Sequence, residues 1–85
     1  MKKLIKKEME EWYGFVLTDE QIQEWIDINK IESFDTLERS DFVDYLCRKI
    51  TGLEYPMNAD SYEYKMKVLK SLRENSSKMG YKFII

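Results

Sequence analysis

Histidine is absent from this 85-residue sequence, and cysteine and proline each occur only once. Without histidine, the chain lacks a residue used in most zinc sites, in Ser-His-Asp and Cys-His catalytic groups, and in switches that titrate near neutral pH. A single cysteine can form neither an internal disulfide nor a cysteine-rich zinc site. These absences exclude the commonest forms of metal, nucleophilic and redox chemistry.

Phosphate-binding and calcium-binding motifs are also missing. The three glycines do not form the glycine-rich loop that cradles a nucleotide phosphate, and the acidic loop of an EF-hand does not occur. The pairs Asp41 with Asp44 and Glu20 with Glu24 have helical spacing, which is more typical of solvent-facing carboxylates than of a cation site. We therefore predict a protein that is not an enzyme and that binds no metal and no cofactor.

No apolar run approaches the ~18 residues needed to cross a membrane. The lysines near the N-terminus are followed at once by Glu8, Glu10 and Glu11, whereas a signal peptide has an apolar stretch there. The lone cysteine and the lack of a secretion signal favour the cytosol. We expect a cytoplasmic protein that does not associate with a membrane.

The residues that are present suit one small folded domain over 1–85. Hydrophobic residues make up 44% of the chain and aromatic residues 14%, which is enough apolar surface for one core. Apolar residues recur at spacings of three and four, the period of a helix with one buried side. The prediction is a compact all-α domain with four helices, at about 3–13, 18–30, 36–51 and 61–79.

Local signals mark several of these helices. Thr18 and Gln21 form the two ends of a capping box at the start of the second helix. The third helix has the most regular apolar stripe, formed by Phe42, Val43, Leu46, Cys47 and Ile50, which predicts a buried Cys47. The predicted apolar face of the first helix consists of Ile5, Met9, Trp12 and Tyr13. That of the fourth helix consists of Tyr62, Met66, Leu69 and Leu72, and Val68 broadens it.

The last five residues, 81–85, are mostly apolar and follow Gly80. Residues 15–17 are the other short apolar run outside the helices. Two interpretations stay open: the two segments pair as a short β-ribbon, or the tail docks on the helices as coil, since a two-stranded ribbon alone has little stability.

Charge is strongly segregated along the chain. The net charge of −2 conceals a central segment, residues 8–44, with twelve acidic and two basic residues. The segments on either side, 1–7 and 45–85, each carry a net charge of +4. This division is the most informative feature for function.

The acidic segment predicts a surface that binds a basic protein partner, as an inhibitor or adaptor does, and the composition suits a phage or mobile element. The predicted contact residues are Glu20, Glu24, Asp27, Glu38, Asp41 and Asp44. An acidic surface accelerates encounter with a basic partner by electrostatic steering. The alternative is that these carboxylates form an ordinary solvated face.

Two other functions remain as alternatives. Lys67, Lys70, Arg73 and Lys78 on the fourth helix predict nucleic-acid binding, although a pI of about 5.2 is far below that of most nucleic-acid binders. The apolar tail residues Tyr81, Phe83 and Ile85 predict a self-assembling protein, such as a homodimer.

Overall fold

The computed structural model describes residues 2–30 and 39–85. Four α-helices occur in these ranges: α1 (Lys2–Tyr13), α2 (Asp19–Asn29), α3 (Arg39–Thr51) and α4 (Tyr62–Asn75). A 3₁₀ turn (Ser77–Met79) follows α4, and two short strands, β1 (Phe15–Val16) and β2 (Lys82–Phe83), complete the fold. The predicted all-α class with four helices is confirmed.

Helix α2 begins where the sequence predicts. The backbone N–H of Gln21 donates to the Thr18 hydroxyl at 3.1 Å, and the backbone N–H of Thr18 donates to the Gln21 side-chain oxygen at 3.0 Å. Both bonds of the capping box are therefore present. The helix ends at Asn29, and Lys30 follows in the left-handed conformation with φ of 52°.

Helix α3 confirms the predicted apolar stripe. Phe42, Val43, Leu46, Cys47 and Ile50 are all buried. The helix was predicted to start at residue 36, and that start lies outside the described residues. Gly52 ends the helix with a φ of +76°, and its N–H donates to the Arg48 carbonyl at 2.9 Å.

Helix α4 is shorter than the predicted span of 61–79. It ends at Asn75, and the chain then tightens into the 3₁₀ turn. The carbonyl of Ser76 accepts hydrogen bonds from the N–H groups of both Met79 and Tyr81. These bonds reverse the chain and bring Tyr81 into the core, which a continued helix would prevent. Serine also has only moderate helix propensity.

The C-terminal segment forms the short ribbon, the first of the two interpretations left open by the sequence. Strands β1 and β2 are antiparallel, with Phe15 opposite Phe83 and Val16 opposite Lys82. The rings of Phe15 and Phe83 lie 5.0 Å apart. Helix packing against buried Phe15 supplies the stability that an isolated two-stranded ribbon lacks.

Every helix contributes residues to the core, and so do the ribbon and its flanks, through Phe15, Leu17 and Tyr81. Its central aromatic contact is the stacking of Trp25 in α2 on Phe42 in α3, with ring centroids 4.9 Å apart. Helix α2 packs mainly against α1, and α4 mainly against α3. The buried hydrophobic residues are Ile5, Met9, Phe15, Leu17, Ile22, Trp25, Ile26, Phe42, Val43, Leu46, Cys47, Ile50, Val68, Leu72 and Tyr81.

Two predicted inward stripes are wrong in detail. Trp12 is 67% exposed and Tyr62 is 75% exposed. In α4 the buried residues are Val68 and Leu72. At 3.6 residues per turn, Tyr62 lies about 100° around the helix from the centre of that stripe. The side of α4 that faces the core is thus rotated from the side that its largest apolar residues predict.

None of the helices within the two described ranges is both long and apolar enough to cross a bilayer.

Candidate functional site

The acidic face of α2 is the first predicted surface. Glu20, Glu24 and Asp27, spaced four and three residues apart, are all exposed. They lie on the side of the helix away from buried Ile22 and Ile26. Their position follows from the helix period, since burial of one side of α2 leaves these carboxylates on the solvent side. We refer to Glu20, Glu24 and Asp27 as the acidic face.

Only part of the acidic face is neutralised. The Lys49 ammonium lies 3.4 Å from a Glu24 carboxylate oxygen. Asp27 accepts a hydrogen bond from the neutral Gln23 amide at 2.7 Å, which leaves its charge in place. Glu20 forms no ion pair with another described residue. The face therefore keeps a net negative charge on its three carboxylates.

Lys49 is held in place by two aromatic rings. Its ammonium lies 5.7 Å from the Tyr45 ring centre and 5.6 Å from the Tyr81 ring centre, within the range of cation–π attraction. Hydrogen bonding to Tyr81, with a smaller contribution from the charge of Glu24, raises the pKa of Lys49 above its ordinary value. Lys49 of α3 therefore stays positively charged next to Glu24 of α2.

The acidic residues of α3 separate into two roles. Asp41 is exposed in the first turn of the helix. Asp44 is half-buried and accepts hydrogen bonds from the Arg48 Nε at 2.7 Å and from the Tyr55 backbone N–H at 2.8 Å. Asp44 thus anchors the loop after α3, and this structural role accounts for its carboxylate. Predicted contact residue Glu38 lies outside the described residues.

The basic residues predicted on the fourth helix also divide. Lys67 and Lys70 of α4 and Lys78 of the 3₁₀ turn are exposed, but Glu63 and Glu74 of α4 are exposed as well. The Arg73 side chain instead donates from Nε to the Ile85 carbonyl at 2.8 Å and so holds the tail. The structure therefore gives Arg73 a structural contact, and nucleic-acid binding through α4 stays a prediction.

The tail residues predicted for self-association have different environments. Tyr81 is only 5% exposed and belongs to the core, so its assignment to a contact surface is corrected. It is buried because the turn at Ser76 directs the chain back onto the helices. Phe83 is half-buried against Phe15. Ile85 is 52% exposed, with its side chain close to Gly14.

A cleft that the sequence did not predict lies between α3, α4 and the loop that joins them. Its volume is about 820 Å³. It is lined by residues from four separate segments of the chain, among them Tyr13, Asp41, Tyr55 and Leu69. No single helical period relates these residues, so the spacing of apolar residues in the sequence carried no signal for the cleft.

Neither a metal cluster nor a reactive thiol is apparent among the described residues. In residues 2–30 and 39–85, no group of three or more cysteine, aspartate or glutamate residues is arranged to hold a metal ion. Burial raises the pKa of the Cys47 thiol, which disfavours the reactive thiolate.

Comparison of the chain with protein-family models, with curated proteins and with solved structures finds no match.

Proposed function

We propose that this protein is a binding module that uses the acidic face of α2 to dock on a basic surface of a protein partner. The observation that carries the proposal is the exposure of Glu20, Glu24 and Asp27 on one side of one rigid helix. A partner that bears lysine or arginine side chains would meet three carboxylates along about seven residues, or ~10 Å, of helix.

The distribution of cations in the fold supports this proposal. The exposed lysines Lys67 and Lys70 lie on α4, which packs mainly against α3, whereas α2 packs mainly against α1. The acidic face is therefore not buried against α4.

Helix α1 also carries lysines, but Lys6 pairs with Asp19 at 2.7 Å, and no described residue of α1 forms an ion pair with the acidic face. Lys49 reaches Glu24 alone, at 3.4 Å. A negative field remains to steer a basic partner toward α2.

Such a surface suits an inhibitor or adaptor. A small domain that covers a basic site of its partner blocks that site by occupancy and needs no chemistry of its own. Rim charges of this kind mainly raise the association rate, and their effect falls as the salt concentration rises. Salt dependence is thus a direct signature of the proposed contact.

The test compares capture of proteins from a lysate of the source organism by three immobilised forms of the chain. These are the wild type, the triple variant Glu20→Gln/Glu24→Gln/Asp27→Asn, and a control variant, Glu63→Gln/Glu74→Gln, which removes exposed carboxylates from α4. Amide substitutions keep the size and helix propensity of the acidic face. Circular dichroism checks that each variant is folded.

We expect the triple variant to lose about 90% of the partner recovered at low salt, because three exposed charge pairs at ~0.5 kcal/mol each amount to about a tenfold change in affinity. The control variant should recover as much of the partner as the wild type does. A high salt concentration should reduce the amount of partner that the wild type and the control variant recover. Equal capture by the wild type and the triple variant would refute the proposal.

A further inference from the structure

The cleft between α3, α4 and their connecting loop has an apolar floor. Val43 of α3 and Val68 of α4 are buried at its base, and Leu69 is half-buried beside them. The ring of Tyr13 meets the ring of Tyr55 edge-on, with centroids 5.8 Å apart. Val43 and Val68 are closed to solvent, so the apolar surface that the cleft offers to a ligand is that of Leu69, Tyr13 and Tyr55, which come from three segments of the chain.

The loop wall of the cleft is held in position by polar contacts. Asp44 accepts the Tyr55 N–H at 2.8 Å, and the guanidinium of Arg48 bridges Asp44 and Glu54 at 2.7 and 2.9 Å. The Tyr64 hydroxyl donates to the Glu54 carbonyl at 2.7 Å. A wall that is already anchored loses little conformational entropy when a ligand binds, so the cleft is preorganised.

The charged residues of the cleft leave one carboxylate uncompensated. Arg48 is shared between Asp44 and Glu54. Lys65 donates to the Asn58 carbonyl at 3.5 Å, at the edge of hydrogen-bond range. Asp41 is exposed and makes no ion pair with another described residue. Three carboxylates thus face two cations in the lining, and the unmatched charge favours a cation.

The edge of the cleft favours an extended ligand. The cleft is open to solvent on one side, and Met57, at its edge, is 74% exposed. Methionine side chains adapt their shape to different apolar partners and are common at peptide-binding surfaces. An open groove with such an edge can hold one side chain while the rest of a peptide continues past it.

We propose that this cleft docks a peptide segment of a partner protein, with an apolar side chain of the segment on Leu69, Tyr13 and Tyr55 and an adjacent lysine or arginine beside Asp41. Charge complementarity with Asp41 selects the cation, and the apolar surface selects its neighbour. The site is separate from the acidic face of α2 and does not depend on the function proposed for that face.

Two acetylated and amidated dipeptides, Phe-Lys and Phe-Glu, are suitable probes because they share an aromatic side chain and differ in the sign of one charge. Each is titrated into the ¹⁵N-labelled full chain at low salt, and amide shifts are followed by NMR. We expect Phe-Lys to shift the amides of Val43, Tyr55 and Leu69 and to bind about threefold more tightly than Phe-Glu, as one exposed ion pair allows.

The substitution Asp41→Asn should remove this preference and leave both dipeptides with the weaker affinity. The control Glu63→Gln removes an exposed carboxylate elsewhere on α4 and should preserve the threefold ratio. Three results would each overturn the proposal: no shifts at the cleft, equal affinity of the wild type for both dipeptides, or a ratio that survives Asp41→Asn. Shifts by Phe-Lys confined to the acidic face would likewise reject the cleft as the site.

Discussion

Gly14 joins α1 to β1. Both its backbone conformation and the small space beside its Cα suit glycine better than any other residue. Its φ is +76°, in the left-handed region. A Cβ added at this position would lie 2.3 Å from Cγ1 and 2.5 Å from Cδ1 of Ile85. The substitution Gly14→Ala therefore combines backbone strain with a steric clash against the tail.

The two costs can be separated because Gly52 provides a matched control. Its φ is also +76°, yet a Cβ at Gly52 would have no neighbour within 4 Å. Gly52→Ala should lower the free energy of unfolding by about 1 kcal/mol, the usual cost of a left-handed alanine. Gly14→Ala should lower it by about 2 kcal/mol, because displacing half-exposed Ile85 loses roughly a further 1 kcal/mol of apolar burial.

Urea unfolding followed by circular dichroism at 222 nm measures these differences. With a slope of about 1 kcal/mol per molar urea, the midpoint should fall by about 2 M for Gly14→Ala and about 1 M for Gly52→Ala. In an Ile85→Ala background, the cost of Gly14→Ala should fall to about 1 kcal/mol, since the clashing atoms are gone. Equal costs at the two glycines, or no relief by Ile85→Ala, would refute the reasoning.

Two further predictions concern polar contacts. Asp44→Ala should lower the free energy of unfolding by about 1–2 kcal/mol and speed hydrogen exchange at the Tyr55 amide, because the loop loses its charged acceptor; unchanged protection of that amide would contradict the anchoring role. The hydrogen bond and charge of Lys6 hold the pKa of Asp19 below its ordinary value of 3.8, so this contribution to stability is present above that pH and is lost as the pH falls below it. Lys6→Gln should thus reduce the stability at about pH 7 more than at about pH 2 in acid titrations followed by circular dichroism, and an equal effect at both pH values would disprove the linkage.

The features that could be predicted from the sequence are those that act over three or four residues. The capping box joins Thr18 to Gln21, and the acidic face joins Glu20 to Glu24 and Asp27. Helical geometry alone places such residues together. The start of α2, and the position of its three carboxylates on one side of the helix, could therefore be predicted without knowledge of any tertiary contact.

The side of α4 that faces the core could not be predicted fully in this way. The predicted stripe is buried at Leu72 and at Val68, which broadens it, whereas its first two members, Tyr62 and Met66, are exposed. Burial of a helical residue depends on which other segments pack against its side of the helix. Val68 and Leu69 lie on the side of α4 that is next to α3 and the loop after α3. Side-chain size along one helix cannot show where that neighbouring surface lies.

The roles of individual charges show the same division. Asp44 resembles Asp41 in type and helical position, but the Tyr55 N–H, eleven residues away, bonds only to Asp44. Arg73 resembles the lysines of α4, yet it bonds to the Ile85 carbonyl. The sequence supplied the charges and their segregation, whereas the tertiary structure selected which of them are structural.

By itself, the sequence determined the all-α class, the cap and acidic face of α2, and the buried stripe of α3, because each depends on the period of one helix. The tertiary structure alone decided the β1–β2 pairing, the burial of Tyr81 and the existence of the cleft. These features bring together residues far apart in the chain, and their proximity depends on how the whole core packs rather than on any local preference.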